Sequence, residues 1–206
     1  MKPCAALVLL LALAGCGGGG STSNSTTQSA QASARWPAPP DPMGRTRAAG
    51  LTPETHEFVF LHVHSHLDVF VNGKPVTIPA GIGIAIDDPA VRRFQAPDGS
   101  IGYGGISPPC NKPCISPLHT HFEDGVLHTE AKEHEFNKLG QFFTEWNVRL
   151  DRNCVDGFCR PTTPIAVYVD GDRFSGDPRE IQLEDRQEIA IVIGRPPDTI
   201  PSSFGR

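Results

Sequence analysis

In residues 61–71 the chain alternates with a period of two. Leu61, Val63, Leu67, Val69 and Val71, with Ser65 among them, fall on one side, and His62, His64, His66, Asp68 and Phe70 on the other. Successive side chains of a strand point to opposite faces, so the pattern dictates a strand with an apolar face for a core and a second face carrying imidazoles. Asn72-Gly73 follows at once. That dipeptide favours the two-residue turn whose twist matches a hairpin, so residues 74–78 return antiparallel, with Pro75 suited to an edge. Any fold built on this element must bury one side of a sheet and give the nitrogens on the other side something to do.

Six of the eight histidines lie in two short stretches, 62–66 and 119–128. In the second, residues 118–122 and 126–130 flank Asp124-Gly125, which reads as another two-residue hairpin turn. In that register His121 stands opposite His128 and His119 opposite Glu130, all on one face, while Leu118, Phe122 and Leu127 turn to the core. A slip of one residue would break the patch. Neutral imidazole is the commonest nitrogen ligand for transition metals. The candidate metal ligands are therefore His62, His64, His66, His119, His121, His128 and Glu130. Two histidines spaced i and i+2, plus one from a neighbouring strand, give three facial nitrogens, which copper(II) or zinc takes at about 2.0–2.1 Å. Glu130 is a fourth ligand or an orienting group, and Asp68 is a possible orienter. The clusters form one composite site if their strands are neighbours, and two sites otherwise. Against these stand a merely solvated face and a proton sensor, in which close imidazoles repel once protonated.

The rest of the chain frames a domain. Phe136, Leu139, Phe143 and Trp146 recur at helical spacing with Asn137 as N-cap, so one short helix covers the apolar side of the sheet. Residues 165–169 are β-branched and apolar before the turn Asp170-Gly171, and residues 189–193 form a near-continuous apolar strand buried on both faces. The expected class is α+β: antiparallel β-hairpins with one short helix, a roll or β-grasp-like. His56 and His134 read as surface histidines, and the Gly- and Pro-rich loop 87–109 as a linker or contact loop. The net charge is −5, with no basic cluster, which gives no support for nucleic-acid binding.

The N-terminus reads as an export signal: Lys2, then a short apolar run over 5–14, too short to span a bilayer. It ends in Leu13-Ala14-Gly15-Cys16, which resembles the lipobox of bacterial lipoproteins. The resemblance implies cleavage before Cys16, a lipid on that cysteine and a place in the cell envelope, with the outer membrane facing the periplasm if the source is Gram-negative, because Gly17 stands where aspartate marks inner-membrane retention. An ordinary secretory signal is the alternative. The expected division is a signal peptide at 1–15, a lipid-anchored Gly-, Ser- and Pro-rich tether at 16–50, and one metal-binding domain at 51–206. Cys110, Cys114, Cys154 and Cys159 remain in the domain. In an exported protein they favour disulfides, and the turn residues between them favour Cys110–Cys114 and Cys154–Cys159, with cross-pairing and a thiolate copper or redox site as alternatives.

The H-x-H-x-H-L segment from His62, the Asn-Gly hairpin, Leu118-His119-Thr120-His121, His128 and the helix motif Phe142-Phe143-Thr144-Glu145-Trp146 resemble an uncharacterised set of secreted bacterial and archaeal proteins. That resemblance implies a shared fold and histidine constellation and brings no activity with it. The His-x-His elements also resemble those of cupins, although the spacing of Glu and Gly after His121 departs from the cupin motif. Two functions follow from the residues. The first is an envelope lipoprotein that binds copper or zinc in metal handling, with the metal and the membrane as its partners. The second is a metal-dependent enzyme, hydrolase or oxygenase-like, with Glu123, Asp124 or Glu130 as general base. No nucleophile, oxyanion element or cofactor motif accompanies the histidines, so the binding role is favoured and no catalytic residue is assigned.

Overall fold

The computed structural model describes Met1 and residues 36–204. The export signal, Cys16 and most of the tether lie outside the described residues. Among the described residues, no helix is long and apolar enough to cross a membrane.

The alternating segment is a strand, β1 (Leu61–Val71), and its odd-numbered face is buried throughout. β1 is the centre of the sheet. The Asn72-Gly73 turn has φ of 52° and 81°, the doubly positive geometry that this dipeptide tolerates. It returns the chain as β2 (Lys74–Val76), which pairs with β1 alone, so Pro75 sits on an edge. The other hairpin, β9 (Ile165–Val169) and β10 (Asp172–Phe174), turns at Asp170-Gly171 with φ of 51° and 84°. The last strand, β11 (Glu188–Ile193), is buried along its whole length. It lies between β9, antiparallel, and β1, parallel. The order β2-β1-β11-β9-β10, with a helix on the apolar face, is the β-grasp-like arrangement suggested by the hairpins and helix. Local turn signals do not reveal the parallel β1–β11 pair, because its two strands are joined by most of the domain.

The edge of β1 that carries β2 also carries β6 (Val126–Ala131), along the first half of β1. β5 (Leu118–His119) extends the sheet beyond β6. Loop 87–109 is not a plain linker: it contains its own two-stranded hairpin, β3 (Arg92–Gln95) and β4 (Ile101–Gly104). A further small hairpin, β7 (Cys154–Val155) and β8 (Phe158–Cys159), is closed by one of the two disulfides. The local pairs Cys110–Cys114 and Cys154–Cys159 are both formed.

Two expectations about helices are corrected. The core helix, α2 (Leu139–Trp146), begins after Asn137 and buries Leu139, Phe142, Phe143 and Trp146 against the sheet. Phe136 precedes it. The Asn137 side chain donates to Thr129 Oγ1 at 3.2 Å and not to the helix start, which is closed by Gln141 Oε1 accepting from the Lys138 amide at 2.8 Å. Packed structure also begins ahead of Leu51. Trp36 is 9% exposed and meets Trp146 edge-on at 5.5 Å. Helix α1 (Pro42–Ala48), capped by Asp41 Oδ1 on the Gly44 amide, lies on α2. Its proline, its arginines and its small residues give it no apolar periodicity.

This junction buries a carboxyl group. Thr46 Oγ1 lies 3.0 Å from the Pro42 carbonyl and 2.8 Å from Glu145 Oε1. A single hydroxyl proton cannot serve two acceptors. A protonated Glu145 that donates to Thr46, which in turn donates to Pro42, satisfies both. Burial accordingly pushes the Glu145 carboxyl up to about 8, against the pull of Ser116, Thr46 and Arg45.

Candidate metal centre

Three strands bring the two histidine clusters onto one face. In the β1–β6 register, His62 lies across from Glu130 and His64 across from His128. In the β5–β6 register, His119 lies across from His128 on its other side. The clusters therefore meet.

The register within the second hairpin differs from the one its sequence suggests. His128 faces His119 and not His121, a shift of two residues, so the same side chains stay on the same face. Asp124-Gly125 does not form a two-residue turn with both φ positive, since only Gly125 has that geometry, at 80°. The reason is competition for backbone partners. The Thr120 amide donates to Ile82 and its carbonyl accepts from Gly81, while the His121 carbonyl accepts from Tyr103. Residues 120–122 are thereby drawn off β6. On the other side, the Gly125 carbonyl accepts from the Leu67 amide. A Cβ at Gly125 would sit 2.7 Å from the Leu67 carbonyl oxygen, so this close crossing requires glycine.

His119, His121, His128 and Glu130 place one ligand atom each within 4.8 Å of one another. His119 Nε2 and His121 Nε2 are 3.3 Å apart. The Nδ1 of each ring is committed elsewhere: His119 Nδ1 donates to the Ser116 carbonyl at 2.9 Å and His121 Nδ1 to the Tyr103 carbonyl at 2.6 Å. With Nδ1 committed to a carbonyl, both Nε2 atoms face inward, the second-sphere arrangement that orients an imidazole for metal. Two ligands at 2.0–2.1 Å from a tetrahedral ion stand about 3.4 Å apart. Glu130 Oε1 occupies the middle of the group, 3.2 Å from His62 Nε2, 3.4 Å from His128 Nδ1, 3.8 Å from His121 Nε2 and 3.9 Å from His119 Nε2. His128 Nδ1 is buried with no hydrogen-bond partner.

The electrostatics suit a cation. Burial drives the His119 imidazole down to about 3, helped by the neighbouring His121 and His128. Burial also lowers His128, against Glu130, and burial together with His62 lowers His64. These rings are neutral donors at neutral pH. His121 goes the other way: burial depresses it, but the hydrogen bond to Glu130 and the Tyr103 carbonyl outweigh burial and raise it. Burial works to raise Glu130, yet His121 and His128 hold its carboxyl well below the usual range.

His62, His64 and His128 form a second convergent group, further out. His66 joins neither. Its Nδ1 is 2.9 Å from Glu188 Oε2 and its Nε2 2.9 Å from the Asp124 carbonyl, so it ties β1, β11 and the start of β6 together. His66, Asp68 and Glu188 make a third grouping with metal-ligand spacing. Of the three acids considered as bases, Glu130 alone belongs to a histidine group; Glu123 and Asp124 are exposed on the connecting loop. His134 is exposed, and His56 packs on Phe58 at 4.1 Å, both away from these groups.

Sequence reasoning missed Glu188, which stands one residue ahead of the apolar run read as pure scaffold. It also missed the carbonyls of Ser116 and Tyr103, since any residue supplies a carbonyl. Gly104 was the available signal: a Cβ there would lie 2.6 Å from His121 Nδ1, at a φ of 147°. The chain matches no protein family, no curated protein and no solved structure.

Proposed function

We propose that this protein binds a divalent transition metal, copper(II) or zinc, at His119, His121, His128 and Glu130, and serves metal handling in the cell envelope. One observation carries the reading: the Nε2 atoms of His119 and His121 face each other at 3.3 Å while both Nδ1 atoms are committed to carbonyls. Two nitrogens so placed need a proton or a metal ion between them, and both ring orientations are already those a metal requires. The donor chemistry narrows the ion. All four cysteines of the domain are in disulfides, and Met43 lies in α1, so neither thiolate nor thioether joins the imidazoles. Imidazole with one carboxylate suits copper(II) or zinc, and copper binds more tightly to such a set whichever ion is the biological one. The lipobox-like Leu13-Ala14-Gly15-Cys16 supports an envelope location, with Cys16 carrying the lipid and the polar segment after it acting as a tether.

The test is calorimetric titration of metal-depleted protein with Cu(II) and with Zn(II). Uptake of one ion in the inner group is expected. Heat and equilibrium dialysis that register neither ion would overturn the proposal.

A further inference from the structure

We infer that the ion reaches the buried group by way of an outer position formed by His62, His64 and His128, with His128 shared by both positions. This rests on the metal-binding reading above and adds a route to it.

The inner group is hard to enter directly. His119 is wholly buried, and His121 and His128 are each 15% exposed. A hydrated divalent ion must shed its water to reach them, and stripping it all at once is costly. A graded series of imidazoles exchanges water ligands a few at a time. The sheet supplies that series through its register. His62 and His64 are i and i+2 on the same face of β1, with ring centroids 4.6 Å apart, and His64 meets His128 across the strands at 4.5 Å. His128 meets His121 at 4.3 Å. Exposure falls along the row, from 42% at His62 to 0% at His119.

The two positions differ in the direction a relay needs. The outer one begins at the exposed His62, whose Nε2 lies 3.2 Å from Glu130 Oε1, whereas the inner one sets the same carboxylate among less exposed nitrogens, where its attraction for a divalent ion is screened less. Anchoring differs as well. His119 and His121 are each pinned through Nδ1 to a main-chain carbonyl, while His128 Nδ1 is buried without a hydrogen bond. The pinned rings form a fixed receiver, whereas the shared ring's Nδ1 is held by no carbonyl and faces the Glu130 carboxylate at 3.4 Å. In the transfer, bonds from His62 and His64 to the ion break as bonds from His119, His121 and Glu130 form. His128 stays bound, the ion keeps its oxidation state, and any proton on an incoming nitrogen passes to water.

The test uses the full chain, metal-depleted, mixed with Cu(II) in stopped flow and followed through imidazole-to-copper absorption. Release is then followed into excess EDTA. The variant pairs are His62→Ala with His64→Ala, and His62→Asn with His64→Asn, checked for native circular dichroism. Wild type should bind one ion. Both double variants should also bind one, with uptake and release slowed together by about tenfold, so that the dissociation constant moves far less than either rate. Unchanged rates would overturn the relay. So would weakened affinity with faster release, which would make His62 and His64 ligands of the final site, and so would two ions bound at once. Wild type that binds no ion overturns the metal reading itself, a result distinct from the others.

Discussion

His64 on β1 lies directly across from His128 on β6, and this single pairing joins two histidine clusters more than fifty residues apart in sequence. Cross-strand partners share a face, so the pairing fixes His62 against Glu130 in the same stroke. The stripe on β1 and the pair around β5 and β6 therefore belong to one centre, with the buried carboxylate at its hub.

Removing the inward-facing nitrogens should abolish tight binding. For His119→Ala with His121→Ala, the dissociation constant for Cu(II) should rise by about 100-fold or more. The thermal stabilisation by metal should go with it, which for wild type at 100 times the dissociation constant is about 2.7 kcal/mol. Calorimetry and melting with and without metal check both. Equal metal protection in wild type and variant would place the ion elsewhere.

Metal affinity should depend on pH through one proton. His119, His128 and His64 are lowered and enter neutral, and Glu130 is already ionised. His121 is raised above 6.5 by Glu130 and must lose its proton to bind. Below the His121 pKa, affinity should therefore climb about tenfold per pH unit as pH rises, then level off above it. Competitive titration against a chelator of known pH behaviour measures the slope. A flat profile below that pKa would contradict the assignment.

Gly104→Ala should damage the site through its supporting shell. The added Cβ would come within 2.6 Å of His121 Cε1 and Nδ1, pushing the ring off the Tyr103 carbonyl. Affinity should fall by about 10–100-fold. Gly105→Ala is the control. Its φ of 58° strains alanine too, but the nearest atom is Arg92 Cδ at 3.8 Å. It should lose stability and keep its affinity. If both variants bind alike, the His121–Tyr103 contact does not support the site.

Glu145 should cost the fold stability as pH rises from about 4.5 to about 8. Its carboxyl is raised from 4.5 to about 8 in the folded chain. Between those values the folded state keeps a proton that the unfolded state has lost, so stability falls as pH rises, on the order of 1 kcal/mol per unit. Glu145→Gln keeps the shape, removes the titration and should flatten that part of the profile. Urea unfolding of both proteins across this range is the measurement. Parallel profiles would mean that Glu145 is ionised in the fold.

Local chemistry was legible in the sequence. The period of two in residues 61–71, the Asn72-Gly73 and Asp170-Gly171 turns, the short disulfide loops and most of the α2 stripe each depend on residues a few positions apart, and each formed. Even the grouping of the second cluster's side chains on one face followed from parity, since a register shift of two leaves faces unchanged. The tertiary structure decided what depends on distant partners. The parallel union of β1 with β11 put Glu188 against His66 and took that histidine out of the centre. The segment around Gly81 and Ile82, together with the β3–β4 hairpin, pulled residues 120–122 off β6 and supplied the carbonyl that orients His121. Side-chain alternation says which face a residue takes, but which strand lies beside that face is settled by backbone groups competing for hydrogen bonds across the whole domain.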